Sequence, residues 1–149
     1  MAIARLFLLS GVAVGLLVAS AAAAAEFASI GASQVNLREG PGTDHPRRWV
    51  VSRGYPVQVT ERESGWAKVK DYQGDEAWVA ARLLSDRRTV LVTRKLVNVR
   101  KGPSTERGIA FQAQRHVLLQ YLGQEGSWVH VRHADGDEGW VYAPLVWGE

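Results

Sequence analysis

Two small all-β barrels in tandem, behind an N-terminal signal peptide, are what this sequence predicts. Three observations lead there. One stretch recurs at a fixed offset of 62 residues, pairing Val35 with Val97, Trp66 with Trp128 and Trp78 with Trp140, without a gap as far as Leu83 and Leu145. The β-prone segments are short and are separated by Gly, Pro and Asp turn signals. After residue 26 no apolar pattern at helical spacing persists over three turns.

The N-terminal element comes first. Arg5 precedes an apolar run from Leu6 to Val18, and Ser20 leads into the alanine run Ala21 to Ala25 before Glu26. A basic start, an apolar stretch and a small-residue end make residues 1–25 a secretory signal with cleavage near Ala25. The alternative is an uncleaved anchor, since Leu6 to Ala25 just reaches bilayer length. The alanine-rich second half suits a peptidase better than a stable span. With cleavage, no stable membrane insertion is expected, and a bacterial periplasmic or secreted location follows.

Each repeat then carries the same signals in order. Val35 to Arg38 and Leu96 to Arg100 are β-prone and end at Gly40-Pro41 and Gly102-Pro103. Trp49-Val50-Val51 and Phe111 come next, then Val57-Gln58-Val59 and Val117 to Tyr121. Trp66 to Lys70 and Trp128 to Arg132 alternate apolar and polar residues, as a strand with one buried face does. A Gly/Asp turn leads on to Trp78-Val79 and Trp140-Val141. Residues 30–86 are expected to form the first barrel and 89–149 the second. Roughly a third of the aligned pairs are identical, on Gly, Trp, Asn and Arg above all, which marks a duplication. Between the copies, Ser85 to Val92 lacks Gly and Pro. It reads as a connector into a strand that belongs to the second copy or bridges both, which holds the two barrels in a fairly fixed orientation.

Composition removes several function classes. The 149 residues contain no cysteine, so thiolate nucleophiles, zinc knuckles and disulfides are absent. The formal net charge of +3 falls by one once Arg5 is removed. That excess is too thin for nucleic acid, whose binding needs a dense basic stripe. Of the four histidines, only His130 and His133 are close, and they point to opposite faces of an alternating strand. No metal site is therefore expected. Asp135-Gly136-Asp137-Glu138 lacks the spaced oxygens of a calcium loop and reads as a hairpin turn. No nucleophile elbow, phosphate loop or His-Glu-x-x-His segment occurs. Neither an enzyme nor a cofactor is expected.

Asn-Leu/Val-Arg-x-Gly-Pro-x-Thr, then Trp66 or Trp128 with its strand, then Gly-x-x-Ala/Gly-Trp-Val closing on Leu83 or Leu145, resembles the bacterial SH3-like (SH3b) domain family. Both copies match. Arg47-Arg48-Trp49-Val50, Leu84 to Thr89 and the terminal Trp147-Gly148 are similar to the exported two-barrel proteobacterial subgroup. The resemblance implies a β-barrel of about five or six strands. It also implies a binding or targeting role towards peptidoglycan, another cell-wall polymer or an envelope protein. Copy one departs from the pattern with Ala77 where copy two has Gly139.

The candidate ligand-binding residues follow from strand alternation. Ala67 and Val69 share one face, and Trp66, Lys68 and Lys70 share the other. Val129 and Val131 are inward in the second copy, placing Trp128, His130 and Arg132 outside. A repeated aromatic on a polar face marks a contact surface, and the resemblance puts it where eukaryotic relatives stack their ligands. Trp66, Lys68, Trp128, His130 and Arg132 are therefore the expected site. The competing reading packs each Trp over its barrel's edge or against the sister barrel. For Trp140 a three-residue loop centred on Gly136 sets Val131 against Val141 and Trp140 against Arg132, and a two-residue loop turns Trp140 inward; packing is favoured for it and for Trp78. Asn36, Arg38, Asn98 and Arg100 are read as supports of the first turn, and Arg87, Arg88, Arg94 and Lys95 as a solvated connector face. Two functions remain: a module for peptidoglycan or another envelope polymer, and a periplasmic adaptor for an envelope enzyme or complex.

Overall fold

The computed structural model describes residues 24–149, so residues 1–23 of the expected signal segment lie outside the described residues. Two sheets of seven strands each account for the rest. The first holds β1 (Glu26–Ile30), β2 (Val35–Arg38), β3 (Arg47–Val51), β4 (Pro56–Glu63), β5 (Trp66–Lys70), β6 (Glu76–Ala80) and β7 (Leu84–Ser85), in the order β3-β2-β6-β5-β4-β1-β7. The second holds β8 (Thr89–Val92), β9 (Leu96–Arg100), β10 (Ile109–Gln114), β11 (Leu118–Glu125), β12 (Trp128–Arg132), β13 (Glu138–Tyr142) and β14 (Val146–Trp147), in the matching order β10-β9-β13-β12-β11-β8-β14. A one-turn 3-10 segment, Ala81–Leu83 or Ala143–Leu145, precedes the last strand of each. The two-residue strands β7 and β14 raise the count above the five or six that the resemblance implies.

Each sheet rolls round one core, and the two cores are built from equivalent residues. Ile30, Val35, Leu37, Val57, Val69 and Val79 are buried in the first. Val92, Val97, Val99, Leu119, Val131 and Val141 are buried 62 residues later in the second. Small β-branched and leucine side chains at alternate strand positions account for this, because only one face of each strand meets the interior. The duplication extends one strand further than the sequence comparison showed. Ala28 pairs with Val57 and Val90 pairs with Leu119, in the same register. The first sheet accordingly starts at Glu26 rather than at residue 30.

Bending of the long strands closes the roll. β4 slips register between Val59 and Glu61 as it pairs with β5, and β11 does so between Tyr121 and Gly123. A bulge of this kind bends its strand and sharpens the local twist. Ser64 and Gly65, both at positive φ, make the tight turn from β4 into β5, as a two-residue hairpin of this hand requires.

The next turn differs from the expected one. Trp140 lies opposite His130 and Val131 opposite Gly139, so the loop between β12 and β13 spans residues 133–137. The backbone N–H of His133 donates to the Asp137 carbonyl at 2.8 Å, and that of Asp71 to the Asp75 carbonyl at 3.0 Å in the first barrel. These bonds close a three-residue loop centred on Asp135, or on Gln73 in the first barrel, one residue before the expected centre, and the two-residue loop is excluded. The two-residue shift keeps parity, so Val141 still points inward and Trp140 outward.

β8 belongs to the second sheet, between β11 and β14, and it also fastens the barrels together. The Thr89 hydroxyl donates to the Gly54 carbonyl at 2.5 Å, and the Ser29 hydroxyl donates to the Arg87 carbonyl at 2.7 Å. Arg88 is not solvated as expected. Its guanidinium lies 4.1 Å from the centre of the Tyr121 ring and 5.7 Å from that of Phe27, and Nη2 donates to the Gly148 carbonyl at 3.0 Å. Phe27 in turn meets Trp147 edge-on, with ring centres 5.3 Å apart. One cation thus sits between aromatic rings from both barrels, a geometry worth about 0.5–2 kcal/mol per contact depending on desolvation.

Candidate functional site

Trp66 and Trp128 stand directly after the hairpin turns, at the first positions of β5 and β12. Both are half-buried, so neither ring is sealed in the interior. The turn beside each is tied to the 3-10 segment: the Ala81 N–H donates to the Gly65 carbonyl, and the Ala143 N–H to the Ser127 carbonyl, both at 2.8 Å. Opposite each Trp runs β2 or β9 with the Gly-Pro loop that follows it. Between these walls lies a groove of about 540 Å³ on the first barrel and another of about 540 Å³ on the second. Trp66, Asn36, Arg38 and Thr43 line one; Trp128, Asn98, Arg100 and Thr105 line the other.

Asn and Arg on β2 and β9 therefore have a part that the turn reading missed. Arg38 Nη1 donates to the His45 carbonyl at 2.9 Å, and Arg100 Nη1 to the Arg107 carbonyl at 2.9 Å. Each guanidinium does brace its loop, as expected, while also forming a groove wall. The two asparagines do not form turns: they lie within β2 and β9, and Asn98 Oδ1 accepts from Gln112 Nε2 at 2.9 Å. A Cβ on Gly40 would fall 2.5 Å from the His45 ring and one on Gly102 2.9 Å from Arg107 Cγ, so either substitution would push a loop side chain aside.

Lys68, His130 and Arg132 share the outer face with the tryptophans but line neither groove. Lys68 Nζ lies 3.1 Å from Glu76 Oε2. Arg132 Nε donates to Glu138 Oε1 at 2.7 Å, and Arg132 Nη2 bonds the same oxygen. His130 Nε2 lies 3.4 Å from Glu138 Oε2, and its ring stacks on Trp140 with centres 4.7 Å apart and planes 12° apart. The hydrogen bond from Arg132 and the nearby positive charges hold the Glu138 carboxyl below the usual range. Glu76 and Glu138 open β6 and β13 and face these cations across the ladder. Cationic charge beside the tryptophans is thus largely balanced in place.

The grooves are alike in frame and different in detail. Tyr142 lies across from Trp128, with ring centres 5.6 Å apart, where the first barrel has Ala80 across from Trp66. The second groove offers an aromatic pair, the first a single indole with Arg82 on its rim. Trp140 is half-buried under His130 and Trp78 is buried, so both pack rather than line a groove. His133 turns to Phe111, with ring centres 5.8 Å apart, away from His130. Among the described residues no three acidic or histidine side chains gather as a metal site would need.

The doubled match of a family model agrees with this architecture. The family model for the bacterial SH3 domain matches residues 31–86 and again residues 93–148. The chain is 26% identical over 125 residues to the putative N-acetylmuramoyl-L-alanine amidase YrvJ of Bacillus subtilis, a match that takes in 72% of this chain but only 24% of that protein. The chain thus spans about a quarter of that relative's length. Among solved structures, NlpC1 from Trichomonas vaginalis is 14% identical with a TM-score of 0.39, covering 88% of this chain and 48% of that one. A NlpC/P60 family protein from Bacillus cereus is 15% identical with a TM-score of 0.38, covering 82% of this chain and 56% of that one. On the doubled match of the family model, and with two seven-stranded sheets of one design, the chain belongs to the bacterial SH3 domain family.

Proposed function

We propose that the chain is an exported, non-catalytic binding module that grips a repeating cell-envelope polymer, peptidoglycan first, through its twin grooves. One observation carries the reading: the same groove, with Trp, Asn, Arg and Thr at equivalent places, recurs on both barrels. An indole beside amide and guanidinium donors suits the apolar faces and polar rims of sugar and peptide units. Trp66 and Trp128 are the anchors, with Lys68, His130 and Arg132 on the adjoining face for longer ligands. The signal-like N-terminus supports a periplasmic or secreted location. The similarity to a protein named as a putative amidase of N-acetylmuramoyl-L-alanine supports a cell-wall ligand.

Two weak sites on one body gain from avidity, by roughly 10²–10⁴ where a polymer spans both. Sedimentation with purified sacculi tests this. The wild type is expected to pellet, either Trp66→Ala or Trp128→Ala to pellet weakly, and the double variant to stay in solution with its fold intact by circular dichroism. Equal sedimentation of wild type and double variant overturns the proposed site. No sedimentation of the wild type, together with one defined partner on periplasmic crosslinking, establishes the adaptor role instead.

A further inference from the structure

A third cavity has no twin. It lies where the barrels meet, has a volume of about 420 Å³, and is lined by Trp49, Tyr55, Asp71, Tyr72 and Asp75 from the first barrel and by Leu91, His116 and Leu118 from the second, among others. The equivalents of Trp49, Tyr55, Asp71, Tyr72 and Asp75 in the second repeat are Phe111, Val117, His133, Ala134 and Asp137, so the two tyrosines and Asp71 belong to one copy alone.

Charge is the telling feature. The chain carries 18 Lys and Arg against 15 Asp and Glu, yet no Lys or Arg lines this cleft. Among the described residues neither Asp71 nor Asp75 has a basic side chain in ion-pair range. Asp71 is only 7% exposed. Its Oδ1 accepts the backbone N–H groups of Gln73 and Asp75, both at 2.9 Å, and among the described residues Oδ2 accepts none. Oδ2 is not sealed from solvent, so it stays free to accept from a donor that enters the cleft. Nearby, burial and then the charge of Asp71 push the Tyr55 hydroxyl up to about 12.

We propose that this inter-barrel cleft binds a primary ammonium group carried on an aliphatic stem, as in a lysine-like side chain. Asp71 Oδ2 accepts the ammonium N–H, Asp75 adds negative charge, and the rings of Tyr55 and Tyr72 offer π faces to the cation. Trp49 already carries the Arg48 guanidinium over its ring at 5.1 Å, so it acts as wall rather than as the cation's seat. Val51, Leu91 and Leu118 cover the methylene stem. Tyr72 is positioned by the second barrel, its hydroxyl 3.2 Å from His116 Nε2, so the site needs both barrels in place. It is separate from the twin grooves and does not depend on what they bind.

Amide chemical-shift titration of the intact chain with Nα-acetyl-lysine methylamide tests it. Saturable shifts are expected at Tyr72, Gln73, Asp75 and His116, with little change at Trp66 or Trp128. The Nα,Nε-diacetyl compound, which has no ammonium, should bind about tenfold or more weakly. Alanine methylamide, an amino terminus without a stem, separates the two possible sources of the amine and should bind more weakly than the lysine probe. Asp71→Asn keeps the Oδ1 acceptor for the loop and should weaken binding by about tenfold; Tyr72→Leu, at a half-buried loop position, provides the same reading if the first variant does not fold. Absence of saturable shifts in the cleft, equal binding of the diacetyl compound, or stronger binding of alanine methylamide overturns the proposal.

Discussion

Replacing Gly139 with alanine should destabilise the second barrel, although the first barrel carries Ala77 at the same place. A Cβ on Gly139 would lie 2.6 Å from the Arg100 carbonyl oxygen, 2.7 Å from Val99 Cγ1 and 3.4 Å from Ala110 Cβ. Comfortable contacts are about 3.5–4.0 Å, so β9 and β13 must separate by roughly 1 Å. The obstacle is backbone in a ladder, where Arg100 pairs with Trp140, and it cannot swing aside as a side chain would. Overpacking of this kind costs about 1–3 kcal/mol, and the alanine recovers about 0.4–1 kcal/mol by restricting the unfolded chain. At the middle of both ranges the net loss is about 1.3 kcal/mol. Set against a stability of about 3–9 kcal/mol for a barrel of this size, that lowers the melting temperature by on the order of 10 °C. Near-ultraviolet circular dichroism during heating follows it, since the tryptophans report on packing in each barrel. The reciprocal change, Ala77→Gly, should also destabilise, because Ala77 is only 2% exposed and the swap removes a buried methyl group and adds chain entropy. A Gly139→Ala protein that melts at or above the wild-type temperature refutes the reasoning.

Other expectations follow from the same geometry. Leu119→Ala, which empties a fully buried position in the second core, should cost about 2–5 kcal/mol, and a denaturant midpoint unchanged from wild type would count against that core. With its folded-state pKa raised from 10.0 to about 12, Tyr55 contributes stability that is complete below its unfolded value and is lost as pH rises from there through the folded value. Ultraviolet absorbance should show Tyr55 ionising late, and Tyr55→Phe should abolish that late step. Glu138 has the opposite sign: its depressed pKa gives support that is present above the unfolded value of about 4.5 and fades as pH falls through the folded one. A carbon-13 carboxyl titration should find its midpoint low in the wild type and shifted upward in Arg132→Gln; an unmoved midpoint would show that the Arg132 contact is not what lowers it.

How much of this was legible beforehand differs from element to element. The repeat exposed the fold because the core positions are β-branched or leucine residues at the same offset, as Val35 with Val97 and Val69 with Val131 show. β1 escaped the sequence comparison because Glu26-Phe27-Ala28-Ser29-Ile30 and its counterpart share no identity, only burial. The loop was centred one residue too far along, because Gly136 takes its last position, where a positive φ is needed, and not its middle. Strand alternation correctly put Trp66 and Trp128 outside. It could not show that Lys68 and Arg132 meet Glu76 and Glu138, because that depends on register across a loop. The grooves were less visible still, since they join Trp128 to Asn98 and Thr105, residues separated by a full turn of the sheet. For the inter-barrel cleft the signal was present but unused: it lies in the places where the two copies differ, Tyr55, Asp71 and Tyr72.

The clamp of Arg88 between Phe27 and Tyr121 has one more implication. A connector of only Asp86 to Arg88, locked at its last residue, leaves the halves little freedom to swing, so the two tryptophan grooves keep a set stride. Under the proposed function, a chain-like ligand whose units match that stride would be held twice, and one with shorter or longer units once. Selectivity can then arise from spacing as well as from chemistry, with the connector acting as the gauge.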